Sequence, residues 1–574
     1  MFSYFRFKLL VFFEQNIDDL SFVEKLVRGK ELKPVSVTVN KAGHTVVDFG
    51  KHGFGWIEVD AAKAGEYVFA WGENLNAEGA VETNRLYTLD EGHIRCAVTK
   101  SRFDGPGTVR IPYQAGNNSV FHDGKVGTFG VLMPFRWLEV AKCPFPITKE
   151  NVRQVPVYYP YDMEEESFVC DNANLVKVHD FCKHSIRATT YTGKFIDGDR
   201  ERLPYEADSY ITLMSTYAMT SDGTLSRPMV DYLATHSTWP TEWKQFFIRL
   251  VYEDWMHSGE TDLVRKHWKL MRDEKSWRFL RRADGLLATQ GPKVVASPGG
   301  EKPRDIVDWG MCYRDGFVFC EANAVVNALH YRNLVELAAM AKAIGEIDDA
   351  AMFEREAKVT FDAYQKAFFD KSAGCYNDGD TTEHKTVQAN AMALACGVVP
   401  AADVARVADY VSAKGFTCST YMAQFVLEAL FRAGRADRAL ELMTSTEHRS
   451  WMGMMEKGAT VTMEFWDLTL KEPGRIPDMN HAWSTAPLNM ISRYVLGVEP
   501  TQPGWAALAI RPTPGTLGRL SGKVPTTKGA VRVEMTRRGK GWDVSVDTPV
   551  PATFSFAGTS KSLAKGVSRF TVGI

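Results

Sequence analysis

The sequence predicts a multidomain α plus β protein: an (α/α)6 toroid flanked by N-terminal and C-terminal β-sandwich domains. Three observations predict it. Residues 31–165 carry short alternating runs rich in Val, Ile, Phe and Tyr, punctuated by Gly, Asn and Asp. Residues 166–499 carry apolar positions at i, i+3, i+4 spacing. After Pro500 the alternation returns. With 574 residues, at about 150 per domain, three or four domains are expected.

Residues 1–30 form a separate segment. MFSYFRFKLLVFF places Arg6 and Lys8 before a short apolar run, but Glu14 and Gln15 follow at once and no A-x-A site appears. Two localisations stay open: periplasmic or secreted if this is an altered leader, cytoplasmic otherwise. The strand runs of 31–165 are VSVTVN, HTVVDFG, GWIEVDA, GEYVFAWG, GTVRIPY and RWLEVAK. Pro156, Pro160 and the acidic MEEES then mark a linker.

Helical segments follow, from LVKVHDFCKHSI through EWKQFFIRLVYEDWMHSG to TYMAQFVLEALFRAG and ADRALELMTS. Gly or Asn often follows the last turn, as helix stops require. About ten to twelve helices with short connections close either as a solenoid or as a toroid of antiparallel pairs. No fixed-length repeat is present, which counts against the solenoid. Residues 500–574 give ALAIRP, AVRVEMTRRG, GWDVSVDTP and ATFSFAG, the strands of a small sandwich.

Composition excludes several functions. A net charge of −2 provides no field for nucleic acid or anionic membrane, and no basic patch with interleaved aromatics appears. No stretch approaches the roughly 20 apolar residues of a membrane span. The nine cysteines form no CxxC pair and no metal-ligand spacing, so they read as buried thiols. No metal and no cofactor is expected.

Three constellations carry chemistry. DGDRERLPYEAD (197–208) packs Asp197, Asp199, Glu201, Glu206 and Asp208 with Arg200 and Arg202. It reads either as a solvated loop feeding acids into a helix first turn or as carboxylates crowded in an apolar setting. Phe195, Ile196, Leu203 and Tyr205 supply that setting, and crowding there raises some pKa values or forces pairing with arginine. A carboxylic acid kept protonated near neutral pH is what leaving-group protonation needs.

GATVTMEFWD (458–467) isolates Glu464 between Met463 and Phe465, with Trp466 next. Burying such a residue is costly unless it is paired or functional; a buried salt bridge is the structural alternative. NHAWSTAP (480–487) adds His481 as a polar contact and Trp483 as a stacking wall. RDIVDWGMCYRDGF (304–317) offers Asp308 and Trp309, either a loop cap or an acid for sugar hydroxyls beside a ring for the apolar sugar face.

These motifs resemble glycoside hydrolase family 78, the α-L-rhamnosidases of the six-hairpin glycosidase group, over roughly residues 165–574. The family motif D-C-P-x-R-x-E-R-L-G-W-x-G-D is similar to residues 197–208, with Glu201-Arg202-Leu203 as its E-R-L core. The C-P pair is absent, Pro204 stands for the family Gly and Tyr205 for its Trp. The motif G-A-T-x-x-x-E-x-W matches Gly458 through Glu464 and Trp466, and the following N-H matches Asn480-His481.

The resemblance implies that Glu201 is the general acid and Glu464 the general base. Asp197 and Asp208 would bind sugar hydroxyls, and Asp197 and Asp199 both remain open for the first of these roles. Arg202, Tyr205, Asp308, Trp309, Trp466, His481 and Trp483 complete the candidate subsite. The implied reaction is inverting, exo-acting hydrolysis of terminal α-L-rhamnosyl residues from an oligo- or polysaccharide. The alternatives are a six-hairpin enzyme for another sugar, including a phosphorylase, and a non-catalytic carbohydrate-binding protein. A phosphorylase does not need Glu464, and a binding protein does not need both carboxylates.

Overall fold

The computed structural model describes residues 25–83, 96–113, 126–199, 202–291, 294–297, 300, 302–466 and 478–573. The chain folds as two compact units. The first holds the residues up to Tyr161 together with His184–Pro204 and Met454–Ala482; the second holds Asp162–Lys183, Tyr205–Gly453 and Trp483 onward.

The first unit is built on an antiparallel sheet of eight strands. Its spine is the long strand Thr45–Ala61, flanked by Val152–Tyr158 and Met133–Lys142, with Gly65–Gly72 and Cys96–Phe103 beyond the latter. The alternation read in the sequence sends Val47, Phe49, Ile57 and Val59 into one core with Tyr67, Phe69, Trp71, Phe135 and Leu138. Each such side chain contributes about 1.5–3 kcal/mol by leaving water. Rings meet edge to face, Phe49 on Phe135 at 5.8 Å and Trp71 on Phe135 at 4.9 Å. HTVVDFG and GWIEVDA, which read as two runs, are one strand. Its register against Met133–Lys142 shifts between Asp48 and Gly53, where Gly50 adopts φ 81°. A bulge lets a strand bend without ending.

In the second unit, two kinds of helix alternate. Glu206–Met219, Val387–Cys396 and Ala486–Met490 are buried on every face, and Thr241–Ser258, Ala324–Ile344 and Thr420–Arg432 on most. Each of these helices packs on the next in chain order, and Ala486–Met490 packs on Glu206–Met219, so the contacts form a cycle. Hydrogen bonds between buried polar groups join the members. Asn489 donates to Gln424 (3.0 Å) and Ser215 (3.3 Å), and Asn333 donates to the Gln245 carbonyl (3.0 Å). The helices Ser226–Thr235, Asp262–Leu270, Ile347–Phe368, Val404–Lys414 and Ala436–Thr444 bury one stripe each against this cycle, as amphipathic helices do.

The same unit ends in two sheets. The strands Arg519–Val524, Val531–Arg538, Gly541–Thr548 and Gly566–Gly573 form an antiparallel sheet whose edge is Ser167–Cys170, supplied from before the helical region. The second sheet contains Val498–Pro500, Leu508–Ile510, Ala552–Phe556 and Thr559–Leu563. Trp542 on Phe556 (5.8 Å) and Phe554 on Phe570 (5.0 Å) join the two. Six cysteines are buried, Cys143 and Cys170 are half-buried, and Cys312 is exposed, in contrast to the expectation of buried thiols: it lies in the short 3-10 turn Met311–Tyr313, of which only Tyr313 is buried. No helix among the described residues is long and apolar enough to cross a membrane.

The helix cycle also buries charge. Arg493 donates to Glu428 at 3.2 Å, and Tyr494 donates to the same oxygen at 3.3 Å. Burial would raise the Glu428 carboxyl, but the charges of Arg493 and Arg249 bring it down to about 2. Replacing Glu428 by Leu removes the carboxylate at the centre of this network, leaving Arg493 with Glu499 and Arg249 with Glu336, and lowers the unfolding free energy by about 3 kcal/mol. The double variant Glu428→Leu/Arg493→Met loses less than the single one. Urea unfolding measures both; a single variant as stable as the wild type would show the network to be neutral.

Candidate active site

In the first unit, Asp197–Asp199 and Arg202–Leu203 are tied to each other by hydrogen bonds from backbone N–H groups. The Asp197 N–H donates to the Leu203 carbonyl (2.9 Å), and the Leu203 N–H donates back to Asp197 Oδ1 (2.9 Å). The Arg202 N–H donates to the Gly198 carbonyl (3.1 Å). Arg202 stands at φ 54°, a left-handed conformation that costs a non-glycine residue about 1–3 kcal/mol and persists where surroundings over-determine it. Its guanidinium supplies that constraint, donating to buried Asp199 (2.6 and 2.9 Å) and to the Leu132 carbonyl (2.7 Å). It also lies 4.8 Å from the Tyr191 ring centroid, and Phe54 stacks on Tyr191 at 3.7 Å. Burial pushes the Tyr191 phenol well up, Arg202 opposes this, and the charges of Asp199, Asp197 and Asp478 add to it. Tyr191 therefore stays a neutral phenol within reach of the acids.

The second loop of this unit carries Glu464, fully buried. The Glu464 N–H donates to the Asp478 carbonyl (2.9 Å), and the Asp478 N–H donates to Glu464 Oε2 (2.9 Å). His481 and Thr462 are tied the same way: His481 N–H to the Thr462 carbonyl (2.7 Å), Thr462 Oγ1 to the His481 carbonyl (2.8 Å). The two loops touch at Gly198. A Cβ there would stand 2.6 Å from Asp478 Oδ2 and 2.9 Å from the Asn480 carbonyl, so only glycine permits this approach.

The second unit holds an aromatic cluster centred on Trp243. Ring centroids of Tyr205 (5.8 Å), Tyr421 (5.9 Å), Trp483 (6.1 Å), Trp309 (6.2 Å) and Trp239 (6.4 Å) surround it. Trp243, Tyr421 and Trp483 are buried, while Tyr205, Trp239 and Trp309 are half-buried and present ring surface. Acids sit among these rings: burial raises the Tyr421 hydroxyl well up, and the charges of Glu242, Asp308 and Asp208 raise it further. Asp308 is fully buried. It accepts from the Ser419 N–H (3.0 Å), the Ser419 hydroxyl and Gln388 Nε2 (2.9 Å), and burial lifts it to about 6 against these bonds. Ser419 caps the helix Thr420–Arg432, so Asp308 ties the loop bearing Trp309 to that helix start.

Of the sequence-derived candidates, Asp197, Asp199, Arg202, Glu464, Trp466 and His481 fall in the first unit, and Tyr205, Asp208, Asp308, Trp309 and Trp483 in the second. Glu201 lies outside the described residues. Trp466 is fully buried, with its carbonyl accepting from Lys457 (3.2 Å). Among the described residues no group of three or more His, Cys, Asp or Glu is placed to hold a metal.

Sequence reasoning missed Asp478, Tyr191, Trp239, Trp243, Tyr421 and Glu242. STWPTEW (237–243) held a usable signal: a Pro-Thr helix start with tryptophans four residues apart. Glu242 accepts from the N–H groups of Ile306 (2.8 Å) and Val307. Val307 has φ 62°, an outlier for a β-branched residue, and Asp308 and Trp309 follow directly. Glu242 thus holds the strained turn that presents them.

Burial, with the Asp305 charge added, pushes Glu242 from 4.5 up to about 8. A carboxyl raised in the folded state favours folding while protonated. That contribution is whole below about 4.5 and is lost as pH rises through about 8. Glu242→Gln keeps Oε1 as an acceptor and removes the titration. Its melting temperature relative to wild type therefore rises between pH 5 and pH 8; a constant difference would show that Glu242 does not titrate there.

The sequence matches the family described as bacterial alpha-L-rhamnosidase 6 hairpin glycosidase domain over residues 164–495, and the bacterial alpha-L-rhamnosidase C-terminal domain over residues 497–567. It is 28% identical over 228 residues to an α-L-rhamnosidase of Alteromonas sp. (strain LOR), a match that takes in 37% of this chain and 24% of that one. Solved structures of similar fold include the native α-L-rhamnosidase of Aspergillus terreus, with a TM-score of 0.76 at 17% identity, covering 95% of this chain and 64% of that one. The α-L-rhamnosidase of Dictyoglumus thermophilum gives 0.75 at 16%, covering 95% and 63%. That of Streptomyces avermitilis complexed with L-rhamnose gives 0.74 at 17%, covering 95% and 54%. At these identities the likeness is one of fold, and this chain spans less than two thirds of each of these relatives. The first family match takes in more than half of the chain, which therefore belongs to the bacterial α-L-rhamnosidase six-hairpin glycosidase family.

Proposed function

We propose that the chain is an inverting, exo-acting α-L-rhamnosidase that removes terminal α-L-rhamnosyl residues from an oligo- or polysaccharide. The observation that carries this reading is the meeting of two loops distant in sequence. Gly198, three residues before Glu201, abuts Asp478, whose N–H holds the Glu464 carboxylate. This contact supports a reading in which the two family motifs serve one site. The cyclic contact order of the buried helices supports an (α/α)6 toroid, and the paired C-terminal sheets support a sandwich.

In this reading Glu201 protonates the glycosidic oxygen as the bond to C1 breaks. Glu464 takes a proton from the water that attacks C1 from the opposite face. Inverting pairs stand about 6.5–9.5 Å apart to admit that water. Asp197, Asp199 and Arg202 hold together the residues that precede and follow Glu201 in the chain. Asp208 supplies a hydroxyl contact, His481 a polar one, and Asp308 fixes Trp309. In the second unit the half-buried rings of Tyr205, Trp239 and Trp309 offer apolar faces for a sugar, with Trp483 buried among them.

Purified protein is expected to release p-nitrophenol from p-nitrophenyl α-L-rhamnoside. Removing a general acid or base costs about 10²–10⁴-fold in rate. Glu464→Gln is expected to lose this on every substrate. Glu201→Gln is expected to lose it on a rhamnosyl disaccharide and far less on the nitrophenyl glycoside, because nitrophenolate leaves without a proton. Equal losses for Glu201→Gln on both substrates would remove it as the acid. No turnover of any rhamnoside by wild type would send the assignment to another sugar.

A further inference from the structure

The first unit contains more than the two loops: its sheet grips them. The strand Thr45–Ala61 breaks register between Asp48 and Gly53, and the break carries His52, fully buried. Bulges beside functional sites commonly re-aim a side chain. Here the His52 N–H donates to Thr460 Oγ1 (2.7 Å), and imidazole Nδ1 lies 2.8 Å from the same oxygen. The hydroxyl's own proton satisfies Nδ1, which assigns the ring proton to Nε2. Burial and the Arg136 charge hold His52 down near about 3, so the ring is neutral at working pH and Nδ1 can accept. Thr460 lies four residues before Glu464.

The same residue reaches the segment leading to the other loop. The His52 carbonyl accepts from His184 Nε2 (3.1 Å), and His184 begins the stretch His184–Pro204. Two more sheet residues act on the base loop. Arg136, paired with Asp48 (2.8 Å), donates to the Gly458 carbonyl (2.9 Å). Glu73, just past the strand Gly65–Gly72, accepts from Asn480 Nδ2 (2.7 Å). The segment bearing Glu464 is thus held before the residue at Gly458 and Thr460 and after it at Asn480, each time by the N-terminal sheet.

We propose that His52, with Arg136 and Glu73, is a positioning residue for the general base, so that the N-terminal sheet is a working part of the catalytic apparatus. This rests on the reading of Glu464 given above. Thr460→Val removes the hydroxyl at nearly constant volume; His52→Ala removes the ring; His52→Asn restores an acceptor close to Nδ1.

The experiment pairs hydrogen-exchange mass spectrometry of the peptide spanning 458–466 with steady-state kinetics. In Thr460→Val and His52→Ala the peptide is expected to exchange faster while the strand Met133–Lys142 keeps its protection. On the nitrophenyl rhamnoside kcat is expected to fall by about 10²-fold, the cost of a misplaced group, with KM little changed. His52→Asn is expected to recover most of both.

Unchanged exchange and unchanged kcat in the first two variants would overturn the proposal. So would loss of protection spread through the whole sheet, which marks a merely structural residue. If wild type turned over no rhamnoside, the functional reading would fall, and the exchange data would still decide whether the sheet holds the loop.

Discussion

Burying a carboxylate is the constraint on which the site depends. An acid taken from water must be paired or must accept hydrogen bonds fixed in place. Asp199, Glu464 and Asp478 are all fully buried in the first unit. Asp199 takes Arg202 as its counter-charge, and Glu464 takes the backbone N–H of Asp478. Each partner belongs to a tight loop, so satisfying the acids also fixes the loops. The left-handed Arg202 and the glycine at 198 are the conformational cost of bringing these loops so close.

The second unit meets the same constraint by another route. Its aromatic cluster excludes water, and the acids within it are held by neighbours instead of by solvent. Asp308 is satisfied by Ser419 and Gln388, and Glu242 by the N–H groups of Ile306 and Val307. Both become harder to ionise, and both support the loop that presents Trp309. The half-buried ring surface and the acids that support it are therefore one construction. In the helix cycle, the ion pairs around Glu428 show the opposite balance, where nearby arginines outweigh burial.

Much of this was legible in the chain. The change of period near residue 166 and again near 500 located strands and helices, because side-chain periodicity follows directly from which face is buried. The isolated Glu464 and the acidic run at 197–208 stood out because charges in apolar settings demand explanation. What stayed hidden depended on three-dimensional proximity. Nothing local in SFVC announces that Ser167–Cys170 completes a sheet with Arg519–Val524. KHGFG read as a break between strands, yet it is the bulge that aims His52 at Thr460. Asp478 carries no local signal, and its contact with Gly198 exists only in three dimensions; the tryptophans at 239 and 243 likewise join a cluster only where separate segments converge.

The central claim is that Glu464 directs water at C1 from the face opposite the leaving group. Proton NMR of the first-formed sugar during hydrolysis of an α-L-rhamnoside tests it most directly, before mutarotation mixes the anomers. The account predicts β-L-rhamnose as the initial product. Initial α-L-rhamnose would mean retention through a covalent intermediate and would contradict the assignment of Glu464 as a base.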